Sequence, residues 1–174
     1  RGATALARIA SGARLRAALL VTRATPLRGS GDVAGGSAPG QVRVVADHLN
    51  VSGGSLFPAP GMVSAGWDAT LTERLGSLRG VSGSSVVALV PGPLRPSPAE
   101  SRALVSLGAD AAVTDSVAEA MVLASRGVAV SALTYLDAPA AGGNLGRAQL
   151  SLRQASGVTL AAVEEILRSL RAGS

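Results

Sequence analysis

Short apolar runs and stretches of helical period alternate along most of this chain. Ala17–Thr22 (AALLVT), Gln41–Ala46 (QVRVVA), Ser85–Val90 (SVVALV), Ala111–Val113 and Val128–Thr134 (VAVSALT) read as strands. Their apolar positions are near-continuous, as in strands buried on both faces. Ala3–Ala13, Val63–Leu78, Pro98–Leu107, Val117–Ser125 and Leu160–Leu170 read as helices. Two helix starts carry the same signature. Ser97 is followed by Pro98 at the first helical position and by Glu100 three residues on, a capping box. Ser116 and Glu119 repeat the spacing. Each of these helices runs up to a glycine, Gly108 or Gly127, able to take the left-handed conformation just past a helix end. The order β-α-β-α-β predicts an α/β fold, a mostly parallel central sheet flanked by helices. Arg28–Gly40 and Ala138–Gly146, rich in Gly, Ser, Ala and Pro, read as loops. No internal repeat interrupts the pattern, and residues 1–174 read as one domain.

Composition narrows the chemistry. Hydrophobic residues make up 47% and aromatics 2%, so the core is expected to be built from Ala, Val and Leu. No apolar run approaches the roughly 20 residues of a membrane span. With no cysteine there is no disulfide framework, thiolate nucleophile or cysteine zinc site. The formal net charge is +5, and all 16 basic residues are arginine. They are dispersed, with no aromatic-rich RNA-binding signature and no basic reading helix; net charge alone supplies non-specific attraction to anionic surfaces. The chain opens on Arg1, the expectation for a processed, trimmed or partial chain. Its first acid is Asp32, after six arginines among Ala, Leu, Ser and Thr. That is the composition of a mitochondrial transit peptide; a genuine first helix leading into the strand at Ala17 is the favoured alternative. A mitochondrial location is the suspicion, a cytoplasmic one otherwise.

In parallel α/β sheets ligands bind beyond the carboxyl ends of the strands. Arg23–Leu27, Asp47–Gly54, Gly92–Ser97, Thr114–Ser116 and Tyr135–Asp137 are therefore the places to look. His48 is the single histidine. Its neighbour Asp47 is expected to point the other way on a strand, so an Asp–His base is disfavoured and a histidine-dependent serine triad with it. Gly29-Ser30-Gly31 and Gly35-Gly36-Ser37 fit no phosphate-loop pattern. Asp47, Asp110, Asp115 and Asp137 lie near strand ends, where caps and turn-formers also accumulate. Glu164 and Glu165 read as a solvated helix face. No metal-ligand spacing emerges, and no cofactor is expected.

The order of pieces resembles the trimeric purine nucleoside phosphorylases. That family has a strand ending Thr-Asn-Ala-Ala-Gly-Gly, then Pro-Gly-Asp and Ser-Asp-His-Ile-Asn; here stand "LLVTRATPL" (19–27) and "APGQVRVVADHLN" (38–50). Phe57, Met62 and "AGWDATL" (65–71) follow the family's Phe, Met and Ala-Tyr-Asp. Its Ala-Gly-Pro-Ser-Phe-Glu-Thr-Pro-Ala-Glu resembles "PGPLRPSPAE" (91–100). Its Leu-Gly-Ala-Asp-Ala-Val-Gly-Met-Ser resembles "LGADAAVTD" (107–115), and the following Val-Pro-Glu helix resembles "VAEAMVLASRGVAVSALT" (117–134). The resemblance implies a nucleoside-phosphorylase-like fold lacking its N-terminal part, a single truncated domain over 1–174.

It also implies where a nucleoside would sit, and that the groups there are changed. The family's Phe over the purine and its base-reading Glu fall on Arg95 and Pro96. Proline offers neither an acceptor side chain nor a backbone donor, and an unmet buried polar edge costs about 1–3 kcal/mol. The Asn after the first strand's Thr becomes Arg23, followed by Ala24, and the glycine pair becomes Thr25-Pro26. The Met-Ser lining the ribose becomes Thr114-Asp115. The Asn that helps the purine leave falls on Leu136 or Asp137. The family's late histidine has no counterpart, the loop between Asn50 and Met62 is short, and the phosphate-binding loop, Arg and His would precede Arg1. Arg23, Ala24, Arg95, Pro96, Thr114, Asp115, Leu136 and Asp137 are thus vestigial substrate positions, with no catalytic residue assigned. The expectation is a pseudoenzyme with a structural or scaffolding role, partnered by itself or by other subunits of a larger assembly. An active phosphorylase fragment, using phosphate and a purine nucleoside once completed by N-terminal residues, is the alternative. A nucleoside-sensing module, its purine stacked on Arg95, is the third reading.

Overall fold

The computed structural model describes residues 14–27, 38–53, 66–92, 95–137 and 145–172, the side chains of 145–152 excepted, together with Ala5, Arg8, Ile9 and Gly12, which are helical. The rest of the expected Ala3–Ala13 helix, most of the two expected loops and residues 54–65 lie outside these. The strands are β1 (Ala17–Pro26), β2 (Val42–Asn50), β3 (Val81–Leu89), β4 (Ala111–Val113) and β5 (Ala129–Leu136). The helices are α1 (Ala69–Gly76), α2 (Pro98–Ser106), α3 (Val117–Ala124) and α4 (Leu145–Ala172).

The expected mostly parallel sheet is instead a mixed sheet closed into a five-stranded barrel, in the order β1-β4-β3-β2-β5. The pairs β1–β5, β2–β3 and β3–β4 are parallel; β1–β4 and β2–β5 are antiparallel. Closure depends on two short contacts, Thr25 and Pro26 against Ala112 and Ala111, and Val42–Val44 against Leu133–Tyr135. Apolar runs disclose that a strand is buried, not which way it runs beside its neighbour. Register shifts between Val42 and Val44 and between Val45 and Asp47 give β2 the irregularity to bend between β3 and β5.

Alternation along the strands divides the core. Val45, Val87, Leu89, Val113, Val130, Ala132 and Leu136 meet Val117, Ala120, Met121 and Leu123 of α3. Val42, Val44, Leu133 and Tyr135 face Leu71 and Leu75 of α1 and Val158, Ala162 and Ile166 of α4. A third cluster joins Leu104 of α2 to Leu27, Ala88, Ala109 and Ala112.

Three boundaries differ from expectation for visible reasons. α1 begins at Ala69 rather than Val63, because Asp68 is extended and its carboxylate accepts the Leu71 N–H at 2.8 Å. β3 begins at Val81, paired with Val42, rather than at the expected Ser85. α4 runs from Leu145 rather than Leu160, taking in the last two residues of the expected loop and the glycines Gly146 and Gly157, which disfavour a helix by about 1 kcal/mol each. Burial of Val158, Ala162 and Ile166 offsets that local penalty.

Candidate functional site

Two strand-to-helix corners meet beside the end of β1. The first leads from β3 into α2. Ser97 is extended, Glu100 N–H donates to its Oγ at 3.3 Å, and Ser97 N–H donates to Glu100 Oε2 at 2.7 Å, completing the capping box. These Ser97 hydrogen bonds, the backbone one foremost, lower the Glu100 pKa below the ordinary carboxylate value. The second leads from β4 into α3. A side-chain carbon on Gly92 would lie 3.1 Å from Thr114 Cβ, so glycine lets the two corners approach.

At the second corner the expected capping box does not form. Ser116 has φ 71° and makes no side-chain cap. Its hydroxyl donates instead to Asp115 Oδ1 at 3.0 Å. The same oxygen accepts Thr22 Oγ1–H at 2.5 Å, tying β1 to the α3 corner. Thr22 is buried, 5% exposed, so Asp115 satisfies a hydroxyl that water does not reach.

A second knot lies at the end of β5. Arg23 Nη2–H donates to Asp137 Oδ2 at 2.6 Å, and Arg95 Nη2 stands 3.5 Å from that oxygen. Asp137 N–H donates to the Ala24 carbonyl at 2.8 Å. Three segments distant in sequence, β1, the β3–α2 corner and the end of β5, thus converge on one carboxylate. Arg23 is 74% exposed, Arg95 46% and Asp137 24%, so the cluster lines a surface rather than a sealed core.

The eight predicted positions separate accordingly. Arg23, Arg95 and Asp137 form one knot, and Asp115 belongs to the other. Thr114 is exposed against Gly92. Pro96 lines a separate 430 Å³ cavity with Arg95, Ser97, Glu100, Val51 and Leu104. Ala24 and Leu136 are core residues, 2% and 0% exposed; Ala24 takes part through its carbonyl, and of the pair Leu136/Asp137 only Asp137 reaches the arginines. Sequence reading missed Thr22. Its signal was a hydroxyl at the end of an otherwise apolar run, immediately before Arg23.

The other acids and the histidine serve elsewhere. Asp110 accepts the Val86 N–H through Oδ2 at 2.8 Å, and its own N–H donates to the Val86 carbonyl, clamping β4 to β3. Asp47 Oδ1 accepts the backbone N–H of His48 at 2.7 Å and lies 3.9 Å from His48 Nδ1, beyond hydrogen-bond reach. His48 packs edge-on to Trp67 in the wall of a 660 Å³ cavity between β2 and α1. Burial lowers its pKa against the opposing pull of Asp47, favouring the neutral ring. Among the described residues there is no group of three or more His, Asp or Glu placed to hold a metal, and no helix long and apolar enough to cross a membrane.

No family model matches the chain, and no curated protein matches it by sequence. Solved structures do. Schistosoma purine nucleoside phosphorylase in complex with guanosine superposes with a TM-score of 0.71 at 18% identity, over 95% of this chain and 66% of that one. The hypoxanthine complex gives 0.70 at 18%, over 95% and 65%; the Schistosoma mansoni enzyme in complex with inosine gives 0.68 at 17%, over 92% and 64%. The chain therefore spans about two thirds of the length of these enzymes and shares their fold over that length.

Proposed function

We propose that this chain is a catalytically inactive relative of the purine nucleoside phosphorylases, serving as a structural subunit of a larger assembly. One observation carries the reading: the charged residues at the positions that the resemblance assigns to purine and ribose are engaged by side chains of this same chain. Asp137 takes Arg23 and Arg95, and Asp115 takes Thr22 and Ser116. Two guanidiniums that already meet Asp137 Oδ2 compete with any base for that oxygen. A proline at Pro96 adds no polar group that could replace the missing contact. Catalysis needs groups more complementary to the transition state than to one another, and here the polar groups are spent internally. The residues that build the framework, Asp110, Ser97 and Glu100 among them, keep their hydrogen bonds.

The test is phosphate-dependent release of hypoxanthine from inosine by the purified chain. No release above the uncatalysed background is expected, for wild type and for Asp137→Ala alike. Turnover by the wild type that Asp137→Ala abolishes would overturn the reading and favour an active phosphorylase.

A further inference from the structure

α2 buries a single residue, Leu104, and leaves a 430 Å³ cavity between its inner face and the ends of β2 and β3. Glu100, Ala103 and Leu104, three and four residues apart, share that helix face. Val51 and Val90 line the cavity from the strand ends. The volume lies within the roughly 300–1,000 Å³ of small-molecule sites. Its walls are fixed by backbone bonds. Val51 N–H donates to the Leu89 carbonyl at 3.1 Å and Val90 N–H to the Val113 carbonyl at 2.9 Å. The Ser97–Glu100 capping box holds the start of α2.

The lining divides into an apolar body and one polar end. Val51, Val90, Ala103 and Leu104 offer carbon, and Pro91 and Pro96 offer carbon without a backbone N–H. The hydroxyl oxygen and the N–H of Ser97 are both engaged with Glu100. Arg95 differs from these. Its Nη2 stands 3.5 Å from Asp137 Oδ2, longer than an ordinary hydrogen bond, while Arg23 holds the same oxygen at 2.6 Å. A guanidinium carries five N–H donors in a planar fork, so the partly exposed Arg95 keeps donors to give.

The balance of charge selects the ligand. Two guanidiniums against the Asp137 carboxylate leave a net positive charge at the Arg95 end, enough for a monoanion. Glu100, in the same lining, opposes any further negative charge. We infer that this cavity binds an apolar monoanion, a carboxylate on an aliphatic or aryl body. The carboxylate takes the Arg95 fork, and the carbon body lies against Val51, Val90, Pro91 and Leu104. This site goes beyond the assembly reading, and the two fail separately: inosine turnover would remove that reading and leave the site.

The test is a titration of octanoate into the isotopically labelled full chain, followed by amide shifts at Val51, Val90, Arg95, Ala103 and Leu104. 1-Octanol, which lacks the charge, and acetate, which lacks the carbon body, are the matched probes. The expected result is saturable shifts centred on these residues with octanoate and none with acetate at the same concentrations. 1-Octanol should bind about fivefold or more weakly, and Arg95→Gln should weaken octanoate by a similar factor while leaving 1-octanol unchanged. Ala103→Phe, which sets a ring into the cavity from an exposed helix position, should abolish saturation. Octanoate shifts that do not saturate, or that centre elsewhere, overturn the proposal. So does equal affinity of the wild type for octanoate and 1-octanol, or saturation that survives Ala103→Phe. If Arg95→Gln does not fold, the two probes on the wild type decide alone.

Discussion

α2 and α3 begin with the same Ser-x-x-Glu spacing and are held by different means. α2 buries a single residue, Leu104, and is fastened at its start by the reciprocal bonds of Ser97 and Glu100. α3 buries Val117, Ala120, Met121 and Leu123 and dispenses with a side-chain cap. Its Ser116 sits at positive φ and turns its hydroxyl to Asp115, which holds Thr22. The lesson is that a helix secured by packing can release its capping serine to another task. At this corner the task is to lock a carboxylate where the resemblance places a ribose contact.

The sharpest way to separate the two modes is through the core. Leu123→Ala, removing a side chain 1% exposed, should cost about 2–5 kcal/mol in urea unfolding and loosen α3 as a whole. Next comes the wiring of the second corner. Asp115→Ala leaves the buried Thr22 hydroxyl only the longer contact to the Arg23 carbonyl, 3.3 Å, and should cost about 1 kcal/mol by the same assay.

The caps themselves should respond unequally. Ser97→Ala should cost about 1 kcal/mol, whereas Ser116→Gly should stabilise by about 0.5–1 kcal/mol, since glycine adopts the positive φ without strain. Equal losses from Ser97→Ala and Ser116→Ala would erase the distinction.

The smallest effect is one of pH. The folded-state pKa of Glu100 is lowered, so its contribution is complete above the unfolded glutamate value and disappears as pH falls through the folded value. Thermal melts of wild type and Glu100→Gln should therefore differ at neutral pH and converge on acidification. Melts that differ equally at all pH values would show that the Glu100 charge adds nothing to the cap.

Much of this was legible in the residues because it is local. The Ser97 capping box, the left-handed Gly108 and Gly127 with φ 93° and 74°, and the three residues of β4 all follow from sequence spacing alone. Barrel closure was not legible. It depends on two antiparallel contacts between segments far apart in the chain, which no periodicity encodes. The Ser116 signature misled because Asp115, one residue earlier, competes for the same hydroxyl. The site positions came from the resemblance; what they do to one another required three dimensions. Arg23 and Asp137 are separated by 114 residues, and Thr22 and Asp115 by 93.

The central claim is that charged groups at the positions of a nucleoside site are engaged by other side chains of the chain and so compete with a ligand. Guanosine titrated into the isotopically labelled chain, followed by amide shifts at Arg23, Ala24, Arg95, Asp115 and Asp137, tests it most directly. The account predicts no saturable change at these residues, with Asp137→Ala releasing Arg23 and Arg95 and altering their signals without any guanosine. Saturable shifts centred on Arg95 and Asp137 in the wild type would contradict it.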